Sequence, residues 1–227
     1  PVFLPKAPEY YPAYIYTDDE LKRLFDGART YRKRGPLVNE PICIRYILMI
    51  TYMLGLRISE TLSIKIKDID LEKMYVHIHC SKFYKSRLVT FNEQVSKLMQ
   101  EILQWRSTQM YPMVEDAYVF INLKGKPVNF VSLHQIFTTI RKNAGLYFPD
   151  RGRHQPRIHD LRHTFAVNVL TNWYKSGKNV QDLLPKLSTY LGHLNVSFTS
   201  VYLTKTPTLL QEANKLFYAY KNTNNEE

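Results

Sequence analysis

Six side chains of this 227-residue sequence have the types needed to carry out chemistry on a phosphate group. In chain order they are Arg57, Lys82, His159, Arg162, His193 and Tyr202. A tyrosine can attack phosphorus, fixed cations can stabilise the phosphorane, and a lysine can protonate the departing alkoxide. No acidic cluster that would hold magnesium accompanies them. The set therefore indicates metal-free phosphoryl transfer by a covalent route.

The stretch HDLRH (159–163) supports part of this set. His159 and Arg162 are three positions apart, so a helix places both on one face, where an imidazole and a guanidinium suit a non-bridging phosphate oxygen. His159 and His163 are four apart, which is also the spacing of a zinc pair, although Asp160 stands where a metalloprotease needs Glu. On this motif alone, a zinc site and a surface-paired or helix-capping HxxR stay open.

The stretch LGHLNVSFTSVYL (191–203) contains His193 and, nine positions later, Tyr202. The chain has 17 tyrosines, and most are expected to be packing aromatics. Tyr190 precedes this stretch, and we interpret it as a core residue. Tyr202 is interpreted as the nucleophile because of the cations and imidazoles that accompany it in the sequence.

Four sequence boxes occur in a familiar order: GLRISE (55–60), a hairpin lysine, HDLRHTFA (159–166) and LGHxxxxxTxxY (191–202). In these boxes the chain resembles the tyrosine recombinase, or phage integrase, family over about residues 15–220. The resemblance implies a site-specific DNA recombinase that forms a 3′-phosphotyrosine and frees a 5′-hydroxyl. Because the phosphotyrosine retains the bond energy for religation, the resemblance implies no ATP, no metal and no other cofactor.

The resemblance also implies a role for each cation. Arg57 and Arg162 would hold the non-bridging oxygens, and Glu60 would support Arg57 from behind. Lys82 would be the general acid for the leaving 5′ oxygen. Relatives usually carry glycine beside this lysine, whereas none flanks it here, so the choice between Lys82 and Lys85 stays open.

The same resemblance gives roles to the remaining site residues. Tyr202 would attack the scissile phosphate, His159 would assist proton transfer at the tyrosine, and His193 would hydrogen-bond the phosphate.

The elements that must position these residues are predicted to form an α+β, mostly helical domain with a small antiparallel sheet. Thr17 and Glu20 match a capping box that opens the first helix. Strand-forming residues at 74–79 and 87–91 predict a hairpin with Lys82 and Lys85 near its tip. A strand-like stretch is predicted at 117–121. Further helices are predicted at 40–53, 57–64, 93–108, 132–144, 159–173, 180–190 and 197–203, with a last one after Pro207.

The expected domain organisation has three parts. Residues 1–16 carry four prolines and are predicted to be an interdomain linker, residues 17–221 the catalytic domain, and 222–227 a frayed tail. Relatives also carry an N-terminal core-binding domain, which is expected to lie outside this 227-residue sequence. The sequence is therefore expected to be the isolated catalytic domain of a longer recombinase.

The charge of the chain indicates a polyanionic partner. Lys and Arg number 31 against 20 Asp and Glu, a formal net charge of +11, which favours nucleic acid first and an anionic membrane second. The resemblance implies that this nucleic acid is double-stranded DNA. Two isolated cysteines fit a reducing cytosol, and no apolar run is long enough to span a membrane. The HDLRHTFA and LGH boxes resemble those of bacterial recombinases, which implies the bacterial cytoplasm, near the nucleoid. The candidate DNA contacts are Lys85, Arg87, Lys124, Lys126, Arg141, Arg151, Arg153 and Arg157.

Several alternatives remain at this level. The last helix would either pack on its own domain or dock on a neighbouring protomer, giving a dimer to tetramer on DNA. The chemistry would also suit a type IB topoisomerase, and the fold a DNA-binding module without catalysis. The segment between the last two boxes favours a mobile-element role, in a transposon or phage.

Overall fold

A computed structural model describes residues 13–32, 38–79, 86–205, 211 and 214. Within these ranges the helices are α1 (Asp18–Arg29), α2 (Pro41–Met53), α3 (Ile58–Leu62), α4 (Glu93–Ser107), α5 (Phe130–Asn143), α6 (His159–Lys175), α7 (Val180–Leu191) and α8 (Ser197–Lys205). The strands are β1 (Ile69–Asp70), β2 (Tyr75–Ile78) and β3 (Arg87–Thr90). The predicted mostly helical domain with a small sheet is confirmed.

Local signals account for where the helices begin. Thr17 and Glu20 form the predicted capping box at the start of α1, which satisfies two backbone donors that the first turn leaves without partners. Asn92 and Asn129 cap α4 and α5 through side-chain oxygens. Each predicted helix within the described ranges is present, with ends that shift by a few residues.

The three strands form one antiparallel sheet in the order β1-β2-β3. Val76 pairs with Val89 across the predicted hairpin, and both side chains are buried. The hairpin tip that carries Lys82 and Lys85 lies outside the described residues. The sequence pattern does not predict strand β1, because that strand has only two residues. The stretch at 117–121 forms isolated bridges instead of a strand, at Tyr118 and Ile121.

Helix α6 connects two apolar cores. The larger core takes buried residues from α1 through α5 and the sheet, among them Leu24, Ile47, Val76, Ile102 and Phe137. The smaller core lies between α6, α7 and α8 and includes Ala166, Leu170, Leu187 and Tyr202. Because α6 packs against α2, α7 and α8, its first turns lie where these helices meet.

The end of the predicted linker is part of the folded domain. Tyr16 is only 2% exposed, and its backbone N–H donates to Thr164 Oγ1 on α6 at 3.0 Å. The Tyr16 hydroxyl donates to the Arg157 carbonyl just before α6. An extended segment is thus held against the helix that carries His159 and Arg162.

Among the described residues, no helix is long and apolar enough to cross a membrane. Of the predicted last helix, the structure describes only residues 211 and 214, so its packing stays a prediction.

Candidate active site

The first part of the site is an arginine–carboxylate cluster at the start of α3. Arg57 precedes the helix, and its guanidinium donates to Glu60 Oε1 at 2.8 Å and to the Gly192 carbonyl at 3.0 Å. Its side chain stays 22% exposed. Glu60 is 5% exposed and also accepts the Arg57 backbone N–H. The support of Arg57 by Glu60 that the sequence predicted is present as a contact.

Arg162 lies deeper in the protein than Arg57 and is 1% exposed. Its guanidinium donates to the Gly55 carbonyl at 2.8 Å and to the Leu191 carbonyl at 2.6 Å, and lies 3.9 Å from Glu60. Burial and the nearby charge of Arg57 lower the pKa of Arg162 to about 10. It therefore remains a cation at neutral pH, fixed between the ends of α2 and α7.

Arg87 has a different position from the one predicted. Its guanidinium donates two hydrogen bonds to Glu60, both 2.9 Å long, and a third to the Tyr190 carbonyl at 2.8 Å. The side chain is 10% exposed. A bidentate pair of this kind fixes both partners. We therefore correct the prediction of a DNA contact at Arg87 to a supporting contact for the carboxylate that holds Arg57.

Three histidines lie close to these cations. His193 is partly buried, and its Nδ1 is 2.8 Å from Thr199 Oγ1. Burial and the charge of Arg162 lower the pKa of His193 to about 4. His159 reaches the surface, yet desolvation by the protein around its ring and the charge of Arg162 lower its pKa to about 4. Both rings are neutral near pH 7.

Tyr202 is 7% exposed and lies on α8 in the smaller core. Its hydroxyl oxygen is 2.6 Å from Nδ1 of the third histidine, His163, one helical turn beyond His159 on α6. The two histidine rings of α6 meet edge to face at 4.7 Å. The tyrosine is therefore buried among apolar side chains while its oxygen points to the histidine cluster.

His163 is the site residue that sequence reasoning missed. The HDLRH motif showed that His159 and His163 share a helix face, but the pair was interpreted only as possible metal ligands. Thr199 was likewise given no role, although it is three positions before Tyr202 on the same helix. Among the described residues, no group of three or more His, Cys, Asp or Glu is arranged to hold a metal ion.

The remaining predicted DNA contacts within the described residues differ in how far their side chains are exposed. Lys124, Lys126, Arg153 and Arg157 are exposed, although Arg157 also pairs with Asp160 at 2.9 Å. Arg151 is partly buried and lies over the ring of Tyr14. Arg141 is buried, and its guanidinium donates to the Pro156 carbonyl at 2.7 Å. Because this side chain holds the base of the basic loop at 148–157, we correct its predicted role from DNA contact to loop support.

The structure thus brings together five of the six predicted catalytic residues. Arg57, Arg162, His159 and His193 lie near one another around α6, and Tyr202 adjoins them through His163. The sixth, Lys82, lies outside the described residues. Guanidinium groups and neutral imidazoles arranged this way can bind a phosphate and stabilise the charge that develops on it.

Comparisons with known proteins agree on one family. The family model described as "Phage integrase family" matches residues 15–208. A putative integrase/recombinase, y4rB of Sinorhizobium fredii (strain NBRC 101917 / NGR234), is 32% identical over 92% of this chain and 67% of that protein. Tyrosine recombinase XerC of Staphylococcus epidermidis (strain ATCC 35984 / DSM 28319 / BCRC 17069 / CCUG 31568 / BM 3577 / RP62A) is 29% identical over 87% of this chain and 59% of that protein.

The fold is also that of a solved complex. The Tn1549 transposon integrase, bound to transposon right end DNA, superposes with a TM-score of 0.65 at 18% identity, over 93% of this chain and 67% of that one. At this identity the likeness establishes the fold alone. The chain spans 67% and 59% of the lengths of the two curated relatives above.

Proposed function

The chain belongs to the phage integrase family, and on that premise we propose that it is a site-specific DNA recombinase working through a covalent 3′-phosphotyrosine at Tyr202. The observation that carries the proposal is a cluster of two arginines and three histidines beside one buried tyrosine, whose hydroxyl lies within hydrogen-bond distance of a ring nitrogen of His163. A module that only binds DNA has no use for a nucleophile placed in this way.

In this proposal the two arginines bind the scissile phosphate. Arg57 presents its partly exposed guanidinium, and Arg162 supplies a fixed charge behind it. Stabilising the phosphorane in this way acts on the transition state more than on the substrate. His193 would hydrogen-bond a phosphate oxygen, and Thr199 would hold its ring by the contact to Nδ1.

Proton movement completes the proposed reaction. Tyr202 attacks phosphorus, and Lys82 protonates the 5′ oxygen as the bond to phosphorus breaks, with Lys85 as the alternative acid. His159 would assist the departure of the phenol proton. Its ring meets the ring of His163, which in turn contacts the Tyr202 hydroxyl, so this help would pass through His163.

The biological role is proposed at a coarser level. The relatives bear the names integrase/recombinase and tyrosine recombinase, and the structural neighbour is a transposon integrase on DNA. We propose integration or excision of a mobile element, on double-stranded DNA in the bacterial cytoplasm, by a dimer to tetramer assembled through the C-terminal helix.

Covalent capture on DNA tests the proposal and does not require a defined target site. The protein is incubated with a random-sequence library of nicked duplexes whose short cleaved fragment diffuses away, so that any phosphotyrosine persists. Protein-linked strands are recovered under denaturing conditions and sequenced. We expect a DNA adduct through the 3′ phosphate that survives a chelator and is lost in Tyr202→Phe.

The control and the contrary outcomes are specific. Tyr190→Phe, which alters a neighbouring tyrosine of α7, should retain the adduct. DNA binding without any adduct would favour the non-catalytic module, and relaxation of supercoiled plasmid without sequence enrichment in the captured strands would favour the topoisomerase.

A further inference from the structure

His163, to which the family resemblance gives no role, contacts the hydroxyl of Tyr202. The hydroxyl oxygen of Tyr202 and Nδ1 of His163 are 2.6 Å apart, and their rings are tilted by 60° at 5.5 Å. His163 comes from α6 and Tyr202 from α8, so packing of two helices fixes the distance. In the neutral tautomer that carries its proton on Nε2, Nδ1 of His163 is therefore a proton acceptor within reach of the phenol before any DNA is bound.

We propose that His163 is a catalytic residue, the group that receives the phenol proton of Tyr202 as the phenol oxygen attacks phosphorus. The inference rests on the proposed function and names one residue of that same site. A general base must lie within hydrogen-bond reach of the proton that it removes, and His163 meets this condition in the structure.

The reaction balances with residues of this chain alone. The Tyr202 oxygen forms a bond to phosphorus while the bond from phosphorus to the 5′ oxygen breaks. The phenol proton passes to Nδ1 of His163, which becomes an imidazolium, and Lys82 gives a proton to the 5′ oxygen. Religation reverses each transfer, because the imidazolium returns its proton to the departing phenol.

The pKa of His163 depends on its surroundings, which a bound substrate would change. Burial and the neighbouring His159, Arg157, Arg162 and His193 lower the pKa of His163 to about 3. The ring is therefore neutral at neutral pH, so a ring nitrogen can accept a hydrogen bond, but it is a weak base. A bound phosphodiester adds negative charge beside the same arginines, which offsets their repulsion of a proton on the ring.

Two features of the structure favour the transfer once the phosphate is bound. Tyr202 is almost fully buried, so bulk water competes poorly for its proton. His159 contacts His163 edge to face and is placed to stabilise its orientation. The nucleophile is thus expected to be activated when the phosphate reaches the arginines, and to stay protonated otherwise.

The first test measures single-turnover adduct formation with a captured nicked duplex. General bases contribute about 10²- to 10⁴-fold to rates, so His163→Ala should form the adduct at least about 100-fold more slowly. His163→Asn keeps an oxygen acceptor near the position of Nδ1, but an amide cannot take up a proton near neutral pH. Adduct formation by this variant should therefore remain slow. His134→Ala, at an exposed histidine of α5, is the matched control and should keep the wild-type rate.

A second test separates proton transfer from simple support of the fold. A fluorinated tyrosine, whose phenol loses its proton more easily, is incorporated at position 202 in the wild type and in His163→Asn. If His163 takes the proton, the fluorinated phenol should narrow the rate gap between the two proteins by about tenfold or more. If His163 only packs against the ring, both proteins should change by the same factor.

The outcomes distinguish this inference from the proposed function. Loss of the adduct in Tyr202→Phe with wild-type rates in His163→Asn would overturn the inference and leave the proposed function standing. A faster reaction in His163→Ala would also overturn it, since the contact would then restrain the nucleophile. Absence of a Tyr202-dependent adduct in the wild type would defeat the proposed function itself.

Discussion

Glu60 is the residue on which the arginines of the site depend. It contacts Arg57 and Arg87 directly and lies 3.9 Å from Arg162. Burial alone would raise the pKa of Glu60, but the hydrogen bonds and charge of Arg87, with Arg57 and Arg162, outweigh it and lower the pKa to about 2. One carboxylate against three guanidinium groups leaves an excess of positive charge, which suits a bound phosphate.

The substitution Glu60→Gln should change how stability depends on pH. The carboxyl has an ordinary pKa of 4.5 and a folded pKa of about 2, so its stabilisation is present above pH 4.5 and is lost as pH falls through 2. Since one pKa unit corresponds to about 1.4 kcal/mol, the group contributes on the order of 3 kcal/mol at neutral pH. Urea unfolding of both proteins from about pH 7 to 2.5 should show the wild-type advantage shrinking on acidification.

The exposed Glu115 provides the control for this measurement. The unfolding free energy of Glu115→Gln should depend on pH in the same way as that of the wild type across this range. If the difference in unfolding free energy between the wild type and Glu60→Gln stays constant across that range, the Glu60 carboxylate is not the source of this pH dependence.

At the scale of elements, two glycine turns present carbonyl groups to Arg57 and Arg162 of the candidate site. Gly55 follows α2 with φ of +60°, and Gly192 follows α7 with φ of +69°. The Gly55 carbonyl accepts from Arg162, and the Gly192 carbonyl accepts from Arg57. The ends of two helices therefore hold two arginines that come from other parts of the chain.

Gly192→Ala and Gly177→Ala form a matched pair for testing this arrangement. Both glycines have positive φ, but a Cβ at Gly192 would lie 2.9 Å from the Arg87 guanidinium, whereas one at Gly177 would meet nothing within 4 Å. Both substitutions should cost about 1 kcal/mol of unfolding free energy for the left-handed backbone. We expect Gly192→Ala also to slow adduct formation by at least about tenfold, through a displaced Arg87 and Arg57.

Thermal unfolding and single-turnover cleavage measured on the same preparations check this pair. Equal cleavage rates for the two alanine variants would show that the turn at Gly192 has no part in positioning the arginines.

Sequence patterns predicted the elements well because their signals are local. The capping box of α1 and the runs of strand-forming residues in β2 and β3 depend on residues a few positions apart. The supporting contacts are not local. Arg87 reaches Glu60 27 positions away, and His163 reaches Tyr202 39 positions away.

Residue type alone does not reveal such contacts. Arg87 and Arg141 have the same side chain as the exposed Arg153, and only the packing of helices and loops decides which arginines become internal supports. The predicted catalytic residues and Glu60 could be selected because their types and order match the four sequence boxes, whereas the supporting contacts of Arg87 and Arg141 could not be predicted.

At the scale of the whole molecule, some positive side chains are engaged inside the domain and others are exposed. Of the net +11, part lies in arginines engaged inside the domain, such as Arg87 and Arg141, whose guanidinium groups bind protein acceptors. The basic loop at 148–157 exposes Arg153, and the turn after Ile121 exposes Lys124 and Lys126. These exposed cations are the ones expected to touch the DNA backbone, which positions a protein without reading sequence.

The salt dependence of DNA binding tests which cations touch the backbone. A cation that neutralises a phosphate releases a counterion, so removing it lowers the slope of log affinity against log salt by about 0.9. Arg153→Gln, Lys124→Gln and Lys126→Gln should each lower the slope by about this amount, whereas Lys97→Gln, at an exposed lysine of α4 outside the predicted set, should leave it unchanged. Fluorescence anisotropy with a labelled duplex at about 50 to 200 mM salt covers the useful range. A slope that falls equally in Lys97→Gln and in the other three variants would mean that net charge, and not these positions, governs binding.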